Sequence, residues 1–588
     1  PPPPLITDPP PPQNNTHVLS SAASDVYKRQ GPYLMDNIRL ILFFALAFIL
    51  LALYQAWQDD YGAAPVTATP EQQAPATASA PAADGSVPVA PVSSAGVPAA
   101  PGGAIPSGAQ AADTDRVRVF TDEFSMEIDT RGGTVSKVEL QRYPLEIDAP
   151  ERKLTLFEPA PPRLHIAQSG LIGSEPDLAP THEAVFRAEQ TEYRMPDGQD
   201  SLRVTLTWDH PSGVEVRKHF DFTRGSYEVS VTHEVVNATD QPWSGRRYGQ
   251  LQRMEVAEEG QSSFVYTYMG GAYYTPDKKY QKYAFDDMKE QALNKDVAGG
   301  WIAMLQHYFV SAWIPPAEET DHFYSKVLGG DRYVIGSYSP SVTVAPGSTH
   351  VFPSTLYVGP KLQSELEQVA PGLDLTRDYG WLAVIAQPMV WIIDRIHDVV
   401  GNWGWAIIIF TILLKLALFP LSAASYKSMA GMRKLGPRIQ ALKDRYGDDK
   451  QRMQQAMMEM YRKEKINPLG GCLPIVVQIP FFIALYWVLL ESVELRHAPG
   501  ILWIRDLSVK DPYFVLPLLM GVSMFVQQKL NPQPPDPMQA KIMMSMPFIF
   551  TVFFAFFPSG LVLYWLVNNL FSIGQQWYIT RKIEQAGT

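Results

Sequence analysis

The sequence predicts an α-helical membrane protein with six spans and one large antiparallel β-sandwich domain carried outside the membrane. Three observations predict it. Long apolar runs crowd the chain after residue 400 and occur once near its start, although the mean hydropathy of the whole is only −0.09. Between Arg116 and Leu373 apolar and polar residues alternate with the period of half-buried strands. Basic residues gather in one loop between the apolar runs and thin out in the next. A chain of 588 residues is too long for one ordinary domain. Its single cysteine, Cys472, excludes an intramolecular disulfide and a cysteine metal cage.

The elements follow in order. Residues 1–34 carry proline runs without apolar periodicity and read as a disordered leader, or one outside the natural chain, with Met35 as the natural start. Residues 35–58 hold the first span, Ile38 to Trp57, which covers about 30 Å of hydrocarbon at ~1.5 Å per residue. It is bulky where a signal peptidase would cut, so an uncleaved signal anchor is expected rather than a removed signal peptide. Residues 59–115, rich in Ala and Pro and without Lys or Arg, form a flexible linker. Residues 116–373 form the β domain, closed by a short helix between Leu362 and Leu373. Residues 374–400 include the amphipathic stretch Trp381 to Val400, too charged to span and expected to lie among head groups. Residues 401–588 hold the remaining spans: Gly404 to Leu421, Cys472 to Leu490, Tyr513 to Val526, and a hairpin of Met538 to Phe557 and Gly560 to Tyr578 broken at Pro558-Ser559-Gly560.

Charge sets the orientation. Residues 423–471 contain eleven Lys or Arg against five Asp or Glu, whereas Glu491 to Asp511 contains three against four. By the positive-inside rule the first loop is cytoplasmic and the second lies outside. Both termini are then cytoplasmic and the β domain is exported. The cytoplasmic segment reads as a basic helical hairpin carrying Met429, Met432, Met453 and Met457. Its thioethers suit either contact with each other or adaptable contact with apolar segments, and its charge suits anionic lipid or ribosomal RNA.

Lys415 is the residue that carries most chemistry. It falls inside the span Gly404 to Leu421, where a charge costs roughly 2.5–3.5 kcal/mol on insertion scales. No Asp or Glu occurs in any of the predicted spans, so a water-filled cavity rather than an ion pair would keep it charged; snorkelling is the simpler alternative. Thr411 lies four residues earlier on the same face. Gln478, Ser523, Asn568, Asn569 and Ser572 bring polar groups from other spans, with Asn568, Ser572 and Gln575 sharing one helix face. Such groups also serve as glue between helices; with an unpaired lysine they suggest a hydrated groove. There is no P-loop, no H-E-x-x-H and no G-x-S-x-G, so neither nucleotide-driven transport nor hydrolysis is expected, nor any cofactor, metal or small-molecule substrate.

From Met35 onward the sequence resembles the YidC family of membrane insertases in its Gram-negative form. The resemblance rests on Asn402-Trp403-Gly404, Phe419-Pro420-Leu421, Gly447-Asp448-Asp449-Lys450, Asn467-Pro468-Leu469-Gly470-Gly471-Cys472, Ser492-Val493-Glu494-Leu495-Arg496, Leu502-Trp503-Ile504 and Phe557-Pro558-Ser559-Gly560-Leu561-Val562-Leu563-Tyr564. In the β domain Thr130-Arg131-Gly132-Gly133 and Gly299 to Gln306 are similar too. The resemblance implies a five-helix insertase core plus an N-terminal anchor, a groove closed on the outside, and a periplasmic β-supersandwich. It implies nascent membrane proteins as clients, with the Sec translocon, the ribosome and anionic lipids as partners. The groove cation of the family is typically Arg; Lys415 stands there, keeping the charge without the bidentate fork. Thr411 and Tyr564 match family groove positions, and Trp565 stands where Tyr is usual. A solute channel or transporter is the alternative function.

Overall fold

The computed structural model describes residues 116–256, 267–447, 449–464, 473–531 and 537–585. The predicted leader, first span and linker, together with Cys472, lie outside the described residues.

Two sheets build the N-terminal part. The eleven-stranded sheet runs Asn294–Ala298, Thr320–Leu328, Arg332–Tyr338, Trp243–Met254, His165–Gly173, Thr134–Glu146, Phe124–Asp129, Arg116–Phe120, Glu192–Arg194, with Val342–Val344 and Ala149–Phe157 paired off this path. The nine-stranded sheet runs Lys279–Tyr283, Gly270–Thr275, Trp301–Gln306, Phe309–Ile314, Thr349–Pro360, Glu228–Asn237, Val214–Thr223, Ser201–Asp209, Arg187–Ala188. Pairing is antiparallel except between Arg116–Phe120 and Glu192–Arg194. Val214–Thr223 buries every second residue, as a sheet with one face on a core and one in solvent requires. Val117, Met126 and Phe157 of one sheet share an apolar core with Val204, Phe220 and Val231 of the other.

Within that core lies a buried cation. Lys218 is 0% exposed, and its ammonium donates to the carbonyls of Gly132 (2.8 Å), Gly133 (3.0 Å) and Ser169 (3.1 Å). Burial pushes its pKa down to about 7. The bond explains part of Thr130-Arg131-Gly132-Gly133. Both glycines have positive φ, and a Cβ at Gly132 would meet the backbone of His182 at 2.2 Å.

The helices, in chain order, are α1 (Phe285–Glu290), α2 (Gln363–Val369), α3 (Ala383–Val400), α4 (Trp403–Ala417), α5 (Phe419–Lys434), α6 (Gly436–Tyr446), α7 (Lys450–Lys463), α8 (Leu473–Glu491), α9 (Val515–Leu530), α10 (Pro537–Phe554) and α11 (Ser559–Gln585). The predicted closing helix is α2, and the predicted break at Pro558-Ser559-Gly560 separates α10 from α11. Ser559 N–H donates to the Val509 carbonyl (2.7 Å) and Gly560 N–H to that of Leu507 (3.0 Å), which pins this turn to the 491–511 loop. Asn402 caps α4 by accepting from the Trp405 N–H (3.0 Å), while its amide donates to Pro499 and Gly500 of the same loop.

One predicted span differs. Gly404 to Leu421 is not a single helix: α4 stops at Ala417, and α5, with Pro420 in its first turn, leaves at 65°. Proline is tolerated in a first turn but denies the preceding turn its hydrogen bond, so the helix restarts in a new direction. Among the described residues no single helix is long and apolar enough to cross a membrane, while the bent pair of α4 and α5 passes that test together. The predicted cytoplasmic hairpin is segmented too: α5 ends at Lys434, α6 begins at Gly436 ahead of Pro437, and α7 returns, tied to α6 by an Arg438–Glu464 ion pair.

The sheets are joined to the helices by polar contacts around the end of α8. Arg377 pairs with Glu494 (2.8 Å) and donates to the Ser492 hydroxyl (2.9 Å), Lys361 faces Glu491 at 3.6 Å, and His307 Nε2 lies 3.0 Å from the Leu490 carbonyl. Burial, the larger cause, pulls the His307 pKa down to about 4, against a smaller upward pull from that hydrogen bond.

Candidate functional site

Lys415 sits in the last turn of α4 rather than in the middle of a longer helix. A cation is favoured there by the negative end of the helix dipole. It is nonetheless only 4% exposed, packed against Gln478 of α8 and Ser572 and Gln575 of α11. Its ammonium donates to Ser572 Oγ of α11 (2.8 Å) and Gln478 Oε1 of α8 (3.1 Å). No carboxylate within ion-pair reach of it occurs among the described residues.

The ammonium forms part of the wall of a cavity of about 290 Å³. Gln478, Asn568, Asn569 and Ser572 line it, as the sequence suggested, and so do Tyr564 and Trp565. Phe482 stacks near Tyr564 (ring centroids 6.3 Å apart) and meets Trp565 edge to face (4.5 Å). The indole N–H of Trp565 is buried without an acceptor among the described residues, an open donor in a polar wall. Ser572 is held by its own bond to the Asn568 carbonyl (2.7 Å).

Other predicted residues are placed differently. Thr411 is fully buried and outside the cavity lining; its hydroxyl donates to the Ile407 carbonyl one turn back (2.6 Å), the local bond threonine makes in helices. Ser523 also lies behind the lining, donating to Met520 O (2.6 Å) and accepting from Asn569 (3.2 Å). Gln575 stands behind Lys415, its amide donating to the Lys415 carbonyl (3.4 Å). Of the hairpin methionines, Met429 reaches the cavity; Met432, Met453 and Met457 are half-buried and do not line it.

Sequence reasoning missed Ser422, Ser425 and Tyr426 of α5, and Gln527, Gln528 and Asn531 at the end of α9, all of which line the cavity. The first three were hidden by the unforeseen bend. The polar run after Val526 was a usable signal, but it read as chain beyond the span. An amide-rich hollow with one cation can orient a carboxylate or a hydrated backbone. Among the described residues no group of three or more His, Cys, Asp or Glu could hold a metal.

Comparison with known proteins gives two family profiles: the YidC periplasmic domain over residues 116–392 and the 60Kd inner membrane protein over residues 395–586. The chain is 53% identical over 564 residues to the membrane protein insertase YidC of Thioalkalivibrio sulfidiphilus, covering 94% of this chain and 100% of that one. It is 50% identical over 555 residues to the namesake of Methylococcus capsulatus, covering 94% and 99%. A solved structure of an active YidC insertase with its first transmembrane domain resolved matches at 18% identity and a TM-score of 0.37, covering 79% of this chain and 94% of that one.

Proposed function

The chain belongs to the YidC family of membrane protein insertases, and from that premise we propose that it inserts integral membrane proteins by receiving a client's short polar extramembrane part in the Lys415 cavity while the client's apolar segment passes into lipid. Its relatives carry the name of an insertase and not of an enzyme. The observation that carries the cavity's role is the buried ammonium of Lys415 with only neutral partners, Gln478 and Ser572. Such a cation attracts an acidic residue of the client, and the surrounding amides lower the desolvation cost of its polar backbone. Hydrophobic partitioning of the client supplies the drive, so no nucleotide is needed.

In this reading the protein lies in the inner membrane of a Gram-negative bacterium with both termini in the cytoplasm. It spans six times: the Ile38 to Trp57 anchor, the α4–α5 pair, α8, α9, α10 and α11. Exposed apolar side chains on α9 (Leu518, Val522) and α10 (Phe548, Val552) support lipid contact there. The two sheets form a periplasmic β-supersandwich, and α3 lies along the outer head groups, with Trp381 and Val384 left exposed. The basic hairpin, from residue 423 in α5 through α6 and α7, faces the ribosome and anionic lipid, with the Sec translocon as a further partner. The client slides past Tyr564 and Trp565.

The test compares Lys415→Ala with Lys415→Arg in cells depleted of the native protein. The arginine variant is expected to insert clients with acidic tails near the original rate, and the alanine variant about tenfold more slowly. Equal insertion by the alanine variant would remove Lys415 from the mechanism.

A further inference from the structure

A second cavity, of about 740 Å³, opens between α2, Tyr379 and one face of α3. Both signs of charge border it. Arg395 is held by Asp398 at 3.3 Å, and on the α2 side Gln363 engages Glu367 (2.8 Å) and Asp374 (3.4 Å). Three polar groups in the wall are less well satisfied. Asp394 makes no hydrogen bond or ion pair among the described residues. Glu494 accepts from Arg377 at Oε1, while its Oε2 is buried without a partner among the described residues. Tyr379 is 3% exposed and its hydroxyl is buried with no partner among the described residues. Asp394 is half-buried, whereas Glu494 Oε2 and the Tyr379 hydroxyl are buried, and such unpaired buried groups cost free energy unless something completes them.

We propose that this cleft binds the head group of a zwitterionic aminophospholipid, its primary ammonium taken by Asp394 and Glu494 and its phosphate by Arg395. The proposal rests on reading α3 as the interfacial helix. Trp391, which borders the cleft, is 62% exposed, and Trp381 and Val384 just before it are 72% and 83% exposed. Tryptophan so placed sits at head-group level. A head group beside α3 therefore reaches the cleft without leaving the bilayer surface. The Asp394 carboxyl is pushed up to about 6, first by burial and then by the charge of Glu494; an ammonium between the two carboxylates relieves both effects. Phosphatidylethanolamine offers a primary ammonium with three N–H donors, phosphatidylcholine a quaternary one with none, and phosphatidylglycerol no cation.

The test titrates the full-length protein in detergent with these three lipids, matched in acyl chains, and reads retained lipid by native mass spectrometry. Phosphatidylethanolamine is expected to bind at least about fivefold more tightly than either of the others. Asp394→Asn is expected to abolish that preference while leaving the melting temperature the same or slightly higher, since Asp394 holds no hydrogen-bond partner among the described residues and its charge is disfavoured where it sits. Equal retention of the three lipids, or a preference that survives Asp394→Asn, overturns the proposal. So does competition by free phosphoethanolamine as strong as by the lipid, which assigns the cleft to a soluble ligand, or displacement of the lipid by a lysine-rich peptide, which assigns it to a protein. The depth of a nitroxide on Trp391→Cys, in a Cys472→Ser background, in vesicles separates the two readings. A label in bulk water removes the interfacial helix itself; a label at head-group depth without lipid preference removes only the head-group site.

Discussion

A lysine buried between the sheets and a lysine buried among the helices are treated oppositely. Lys218, between the sheets, spends its three ammonium donors on three backbone carbonyls. Lys415, between α4, α8 and α11, spends two on side chains and stands in the wall of a cavity. A buried charge whose coordination is complete is a structural tie. One whose coordination is incomplete and adjoins a hollow can still take a partner.

The sharpest break of this comparison is Lys218→Met, which keeps the stem and deletes the donors. It leaves three carbonyls in an apolar core and is expected to cost the sheets about 3 kcal/mol in denaturant unfolding. An unchanged midpoint would show that Lys218 ties nothing.

Acid acts next, and also on the structural side. His307 binds its proton near pH 4 when folded and near 6.5 when unfolded. The unfolded state therefore holds more protons as pH falls below 6.5, and stability drops through that window, by at most roughly 3 kcal/mol once pH is below 4. His307→Gln is expected to flatten the part of the acid profile that belongs to the joint between sheets and α8; a profile of the same depth would place the acid sensitivity elsewhere.

On the functional side the expected sizes are smaller in energy and appear in rate. Lys415→Ala lowers insertion about tenfold, near 1.4 kcal/mol, with thermal stability held or raised because a buried charge is removed. A protein that unfolds instead would make Lys415 a second structural tie. Gln478→Leu removes one of the two ammonium partners and is expected to slow insertion of acidic-tailed clients two- to threefold while sparing neutral ones. A uniform loss across clients would show that Gln478 only holds helices together.

Much of this architecture was legible before any coordinates. Alternation between Arg116 and Leu373 revealed half-buried strands, and Pro558-Ser559-Gly560 marked the turn before α11, because period and turn chemistry are local properties. Lys415 stood out because a cation in an apolar run is costly wherever it folds. What failed to show was tertiary. Pro420 was visible, yet whether it kinks a span or opens a new helix depends on what α5 packs against, so Ser425 and Tyr426 fell in the predicted hairpin 423–471 and Ser422 just past the predicted span. Thr411 shares a helical face with Lys415, but its hydroxyl found the nearer carbonyl of Ile407. The contact of His307 with Leu490 joins residues 183 apart and left no local trace.

The central claim is that the client's polar segment passes the open side of Lys415. A photocrosslinker replacing Asn568, on the cavity wall, is compared with one replacing Thr411, behind it, and one replacing Val552, on the exposed face of α10. Each is irradiated against a stalled nascent membrane protein. Adducts to the client's extramembrane tail from position 568, absent from 411 and confined to the client's apolar segment at 552, are the predicted result. Tail adducts from 552 with none from 568 would contradict it.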